Sequence, residues 1–322
     1  MTDVIEELYA PMLLKSGFVQ EPDNDRFGQM GTCWKINNEF GSGYYWTYGQ
    51  KDLFDIKIHD FYFNEDRIME FCFPEFASIT WYESISGEEL SPYRRLNAGC
   101  VKSFIGGQAP YQMLIHKKIP IVSVGIEIMP AYYNGYLKQQ YPSEYVDPIT
   151  AFRFVDQTDH FPEMVHLLKS VRDYRGEGIA AKLFYESKVA QAVSLVVEHQ
   201  KKQPETHPAR LSEADRTHLE NVTAYINDHY AYELPLDRLA KIACMGTTKL
   251  KSSFRQQHEC TITEYIQARR MSQAEHLLSS TDLSIGQVAQ TVGYQKAGRF
   301  AELFCKSTGF LPGEYRRMAQ RQ

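Results

Sequence analysis

The sequence predicts a mixed fold: an N-terminal mostly β part followed by helices, then a C-terminal all-α domain with two helix-turn-helix units. Three observations predict it. Leu53–Phe63, LFDIKIHDFYF, alternates apolar and polar residues with the period of a strand buried on one face. Gly178–His199 places Ile179, Leu183, Ala190, Val193 and Val197 on one side of a helix. The tail repeats itself: Leu250, Phe254 and Tyr265 recur fifty residues later as Phe300, Phe304 and Tyr315.

Taken in chain order, strand-like runs occupy Cys33–Phe40, Gly43–Tyr48, Leu53–Phe63, Ile68–Phe76, Ser78–Ser84, Val101–Gly106, Gln112–His116 and Ile121–Met129. Turn signals at Gly41-Ser42-Gly43, Ser86-Gly87, Gly106-Gly107 and Lys118–Pro120 separate them. Short strands at such spacing predict an antiparallel barrel or sandwich. Helical patterns follow at Ala131–Gln140, Phe161–Tyr174 and Gly178–His199. The stripe on the last of these packs either on its own domain or on a second copy. Gln200–Arg210, QKKQPETHPAR, is polar, holds two prolines and reads as a linker. Ser212 is placed to cap a new helix, with Asp215 at the reciprocal position. The expected domains are therefore residues 1–130, a helical region 131–199, a linker 200–210 and a helical domain 211–322.

Composition narrows the function. The chain has 322 residues and a net charge of −5, but residues 211–322 hold 14 Lys+Arg against 12 Asp+Glu, leaving −7 for the rest. From Arg238 to His258 no carboxylate occurs at all, the local sorting a polyanion-binding face needs. No apolar run approaches the ~20 residues of a membrane span. The N-terminal MTDVIEELYAPMLLKSG opens with acids and lacks a basic n-region, so no signal peptide and a cytoplasmic location are expected. Six scattered cysteines without a C-x-x-C pair argue for reduced thiols and against structural zinc.

Each copy of the repeat is helix, short turn, helix. The first spans about 235–258 and the second about 284–308, joined by a connecting helix at about 263–279. Before the turn the offset is 49 (Leu239-Ala240 against Val288-Ala289), so the second turn holds one extra residue.

From Val222 to Arg317 the chain resembles the DNA-binding domain of the AraC/XylS family of transcriptional regulators. The residues that carry the resemblance are I-x-x-V-A-x-x-V-G-Y, F-x-x-x-F and T-G-F-x-P-x-x-Y-R in the second copy. Gly298, Arg299 and Glu302 depart from the family's usual residues. The resemblance implies recognition helices in the major groove of double-stranded DNA. Thr247, Thr248, Lys249, Lys251 and Ser252 would face the bases and Arg255 the phosphates, with Lys296, Gly298, Arg299 and Glu302 as the second set.

It also implies a cupin-like N-terminal barrel that binds a small-molecule effector, a homodimer helix carrying Ile179, Leu183, Ala190, Val193 and Val197, and RNA polymerase as a further partner. Leu183–Val193, LFYESKVAQAV, is similar to a segment of the pyochelin-regulator-like branch, which responds to iron-siderophore complexes. Residues 33–82 hold 15 aromatics, whose plainer reading is as core and strand-face residues and among which Tyr44, Tyr45, Trp46, Tyr48, Trp81 and Tyr82 are the pocket candidates. A cupin-like enzyme or metal-binding sensor is the competing class. It would need clustered donors, and the chain shows no H-x-H, H-E-x-x-H or G-x-S-x-G, with His59 and His116 far apart. A repair methyltransferase would need an activated thiol, for which Cys33, Cys72 and Cys100 show no motif. No cofactor, catalytic residue or metal ligand is expected.

Overall fold

The computed structural model describes all residues except 1–8, 23, 25, 91–92, 108–109, 154, 156–160, 202–210, 259 and 321–322. The chain divides into two units, one of residues 1–86 and 97–204, the other of residues 87–96 and 205–322. The expected linker lies outside the described residues, except Gln200 and Lys201, which end a helix.

The first unit opens with α1 (Ala10–Lys15). Its strands are β1 (Phe18–Gln20), β2 (Thr32–Ile36), β3 (Gly41–Gln50), β4 (Phe54–Phe63), β5 (Arg67–Phe71), β6 (Ala77–Ser84), β9 (Cys100–Ile105), β10 (Tyr111–Ile115) and β11 (Ile121–Ile128). Between β6 and β9 the chain runs through β7 (Gly87–Leu90) and β8 (Tyr93–Leu96), which belong to the second unit. One antiparallel sheet has the order β1-β2-β3-β4-β11-β6-β9, and β5 pairs with β10.

The expected cupin-like barrel does not close among the described residues. The terminal strand β1 is three residues long. The outer edge of β9 is occupied by loop rather than strand, since the Ser103 amide donates to the Val155 carbonyl at 3.0 Å. Gly41-Ser42-Gly43 begins β3 instead of making a turn. Gly43 has φ +117°, and a Cβ there would sit 2.2 Å from the Asp60 carbonyl, so glycine marks a close strand approach. Gly87 likewise starts β7.

Helices follow the sheet: a π-helical turn at Ala131–Leu137 running into α2 (Lys138–Gln140), then α3 (Pro148–Phe152), α4 (Pro162–Asp173) and α5 (Gly178–Lys201). Asp147 caps α3 by accepting from the Ile149 amide. These helices share one core with a single face of the sheet, built from Trp46, Ile56, Ile58, Ile79, Trp81, Val124 and Ile126 against Leu167, Leu168, Tyr185, Val189 and Val196.

The second unit adds to the β7–β8 hairpin α6 (Glu213–His229), α7 (Leu236–Ile242), α8 (Thr247–His258), α9 (Ile262–Ser280), α10 (Ile285–Thr291), α11 (Ala297–Thr308) and α12 (Pro312–Ala319). Ser212 caps α6 through the Asp215 amide at 3.1 Å. Thr261 with Glu264 and Ser284 with Gln287 form capping boxes on α9 and α10.

Candidate nucleic-acid interface

Two helix pairs, α7–α8 and α10–α11, are built to one plan. Leu239, Ala243, Leu250 and Phe254 are fully buried in the first, and Val288, Val292, Phe300 and Phe304 in the second. Each turn is closed by the same hydrogen bond: Met245 donates to the Ala240 carbonyl at 3.0 Å, and Tyr294 to Ala289 at 2.8 Å. One residue before each donor the backbone is left-handed, at Cys244 (φ +50°) and Gly293 (φ +90°). The repeat therefore extends from the apolar pattern down to backbone torsions.

The outward edge of α8 carries Thr248, Lys249, Lys251, Ser252 and Arg255, all exposed, with Thr247 half-buried at its start. On α11 the corresponding edge shows Lys296, Gly298, Arg299 and Glu302, all exposed. Both strong base-reading candidates already hold a carboxylate. Lys249 Nζ lies 2.8 Å from Asp215 Oδ1, and Arg299 lies 2.9 Å from Glu302. The hydrogen bond from Lys249, with help from Ser212, holds the Asp215 carboxyl below its ordinary range. Asp215 thus serves Lys249 in place of the reciprocal cap read from sequence. Exposed pairs of this kind contribute little to stability and exchange readily for a phosphate or base. Ser252 turns its hydroxyl back to the Lys249 carbonyl at 3.0 Å.

In the first unit the six aromatic pocket candidates do not converge. Tyr44, Trp46, Tyr48 and Trp81 belong to the helix-covered face, where Tyr185 lies 4.6 Å from Tyr48 and 5.9 Å from Trp46. Tyr45 and Tyr82 point to the opposite face, because side chains alternate along a strand. That opposite face is polar and largely buried. Register aligns Thr47, Lys57, Gly125, Thr80 and Lys102 in one row across five strands, beside a row of Tyr45, His59, Ser123, Tyr82 and Cys100. Asp55, Glu127 and Ser78 form a third. Thr47, Asp55, Thr80, Ser123 and Glu127 are each at most 3% exposed.

Glu127 accepts from both Lys57 and the Tyr9 hydroxyl, and His59 Nδ1 lies 2.8 Å from Ser123 Oγ. Burial first, and the Lys57 charge second, push the His59 pKa well below its ordinary value, so its imidazole is neutral. Thr47 Oγ1 and His59 Nε2 are buried without a hydrogen-bond partner among the described residues. Sequence alternation showed Asp55, Lys57 and His59 as the polar half of β4; it carried no sign that this half is largely buried.

The stripe on α5 also divides. Ile179 (71% exposed), Leu183 (58%) and Ala190 lie on the open side, and Val197 is half-buried. Val193 is buried in the core with Val189 and Val196. At about 100° per residue it sits roughly 55° off the mean direction of the other four, toward the core side.

Comparison with known proteins bears on the second unit. Residues 239–318 match a family described as "Helix-turn-helix domain". The arabinose operon regulatory protein of Escherichia coli (strain K12) is 34% identical over 93 residues, which are 29% of this chain and 32% of that protein. The melibiose operon regulatory protein of the same strain is 27% identical over 117 residues, 36% of this chain and 39% of that protein. The bifunctional transcriptional activator/DNA repair enzyme AdaA of Bacillus subtilis (strain 168) is 33% identical over 99 residues, 31% of this chain and 47% of that protein. The matches thus span less than half of each relative. Among solved structures, the C-terminal domain of AraT, a response regulator from Geobacillus stearothermophilus, is 28% identical and covers 35% of this chain and 92% of that one, with a TM-score of 0.32. The second unit therefore contains a tandem helix-turn-helix DNA-binding domain. It is a domain of the AraC/XylS family of transcriptional regulators.

Proposed function

We propose that this chain is a sequence-specific regulator of transcription, and not an enzyme, that binds double-stranded DNA through α8 and α11 and a small effector through its first unit. The observation that carries the reading is the pair of like-built helix-turn-helix units with exposed polar edges, the recognition helix α8 itself containing no carboxylate. On α8, Thr247, Thr248, Lys249, Lys251 and Ser252 read base edges, Lys249 giving up Asp215 for guanine, while Arg255 meets phosphate. On α11, Arg299 reads a base, and Lys296, Gly298 and Glu302 line the contact. The connecting helix α9 has 19 residues, about 28 Å at 1.5 Å each, close to the ~34 Å between successive turns of one groove.

The effector sits on the buried polar rows of the sheet rather than among the aromatic candidates. Buried polar atoms require partners, and the Thr47 hydroxyl and His59 Nε2 face that side with theirs open. Ile179 and Leu183, exposed on α5, support a homodimer of the regulator. The test is selection of bound fragments from random duplex DNA by the full chain. Enrichment of sites spanning about 20 base pairs is expected for two major-groove insertions. No enrichment over competitor at moderate ionic strength would overturn the regulator.

A further inference from the structure

We infer that the β7–β8 hairpin is the coupling element through which the effector-binding strands bias the tandem helix-turn-helix domain. The inference rests on the regulator reading above. In sequence the hairpin is inserted between β6 and β9, the strands that contribute Ser78, Thr80 and Lys102 to the polar rows. Its side chains, however, pack with the C-terminal helices.

The Arg95 guanidinium donates to both carboxylate oxygens of Glu275 on α9, and its Nε donates to Ser307 Oγ on α11 at 2.6 Å. Arg95 and Glu275 are each 1% exposed. Tyr93 meets Tyr265 of α9 edge-on at 5.7 Å, and the Arg269 guanidinium lies 4.7 Å from the Tyr93 ring. Tyr265 in turn packs edge-on against Phe254 of α8 at 5.5 Å. One insert of ten residues therefore holds the connecting helix and the second recognition helix directly, and reaches the first by way of Tyr265.

A buried, forked ion pair of this kind is made or broken, not stretched, because either charge left alone in the interior is strongly disfavoured. Movement at β6 or β9 then either carries α9 and α11 along or releases them. These are two arrangements with different affinities for two groove insertions. Linkage makes the effect reciprocal: a duplex that favours one arrangement must alter β6 and β9.

The experiment is hydrogen exchange on the full chain with and without a duplex taken from the selection. Protection of α8 and α11 reports binding. If the hairpin couples, amides of β6 and β9 change their exchange by roughly fivefold or more, the low end of typical coupling. In the double variant Arg95→Met with Glu275→Leu, which replaces the pair by apolar side chains, α8 and α11 remain protected and the response in β6 and β9 disappears. Protection of α8 and α11 with β6 and β9 unmoved in the unmutated chain overturns the coupling and leaves the regulator standing. A response in β6 and β9 that survives the double variant overturns it too. No protection anywhere sinks both.

Discussion

The two helix-turn-helix copies share a scaffold and differ at its margins. At the left-handed turn position the first copy has Cys244 and the second Gly293. A Cβ on Gly293 would come within 2.3 Å of the Ala231 carbonyl, whereas Cys244 is exposed and keeps its side chain. At the end of the recognition helix the first copy buries His258 and the second Thr308, fifty residues on. On the outward edge, lysines and hydroxyls in one copy stand against a single arginine beside a glutamate in the other. The difference teaches that the buried half of the motif answers to packing, and its turn and outer edge answer to what lies next to each copy.

The sharpest way to break the comparison is at the turns. Gly293→Ala should destabilise the second unit by about 2–4 kcal/mol, since it meets both an unfavourable φ and a backbone oxygen. Cys244→Gly should instead stabilise by up to about 1 kcal/mol, because glycine takes the left-handed region without strain. Chemical denaturation of the full chain reads both.

The outer edges come next. Lys249→Ala and Arg299→Ala should each lose about 1–3 kcal/mol of discrimination at one base position. The larger relaxation is expected from Lys249→Ala, because α8 offers more polar edge. Affinities against a panel of operator variants decide it, and a larger effect at Arg299 would reverse the ranking of the copies. Arg255→Ala, which removes the phosphate contact, should weaken binding to all sequences alike and lower the salt slope by about one.

The smallest effect is one of pH, confined to the first copy. Burial pushes the His258 pKa down to about 4, and its Nε2 lies 3.0 Å from the Thr223 hydroxyl. An unfolded histidine titrates near 6.5. Above that value both states are neutral and the full stability is present. As pH falls from about 6.5 toward 4 the unfolded chain takes up a proton the folded chain refuses, so stability declines across that window. Melting temperatures of His258→Thr, which copies the second unit, should lose part of that decline.

Much of the C-terminal domain was legible because its constraint is local and periodic. Leu250 and Phe254 share a stripe whatever the helix packs on, and the echo at Phe300 and Phe304 shows the pattern twice. The outward placement of Lys249 and Arg299 followed from that stripe by geometry alone. The first unit was legible as strands but not as a site. Alternation in β4 separates Ile56 and Ile58 from Asp55, Lys57 and His59, yet it is silent on which half is covered by protein. The aromatic candidates were drawn from density in sequence, and strand alternation sends neighbours such as Tyr45 and Trp46 to opposite faces.

What the sequence determined by itself was the periodic content: strand and helix type, the repeat, the exposed edges of α8 and α11, and a DNA-binding domain of one family. What only the tertiary structure decided was which distant residues share a dry environment. Arg95 and Glu275 stand 180 residues apart, and Lys57 and Glu127 stand 70 apart. Periodicity reports forces between neighbours along the chain, whereas desolvation depends on everything that folds back over a residue.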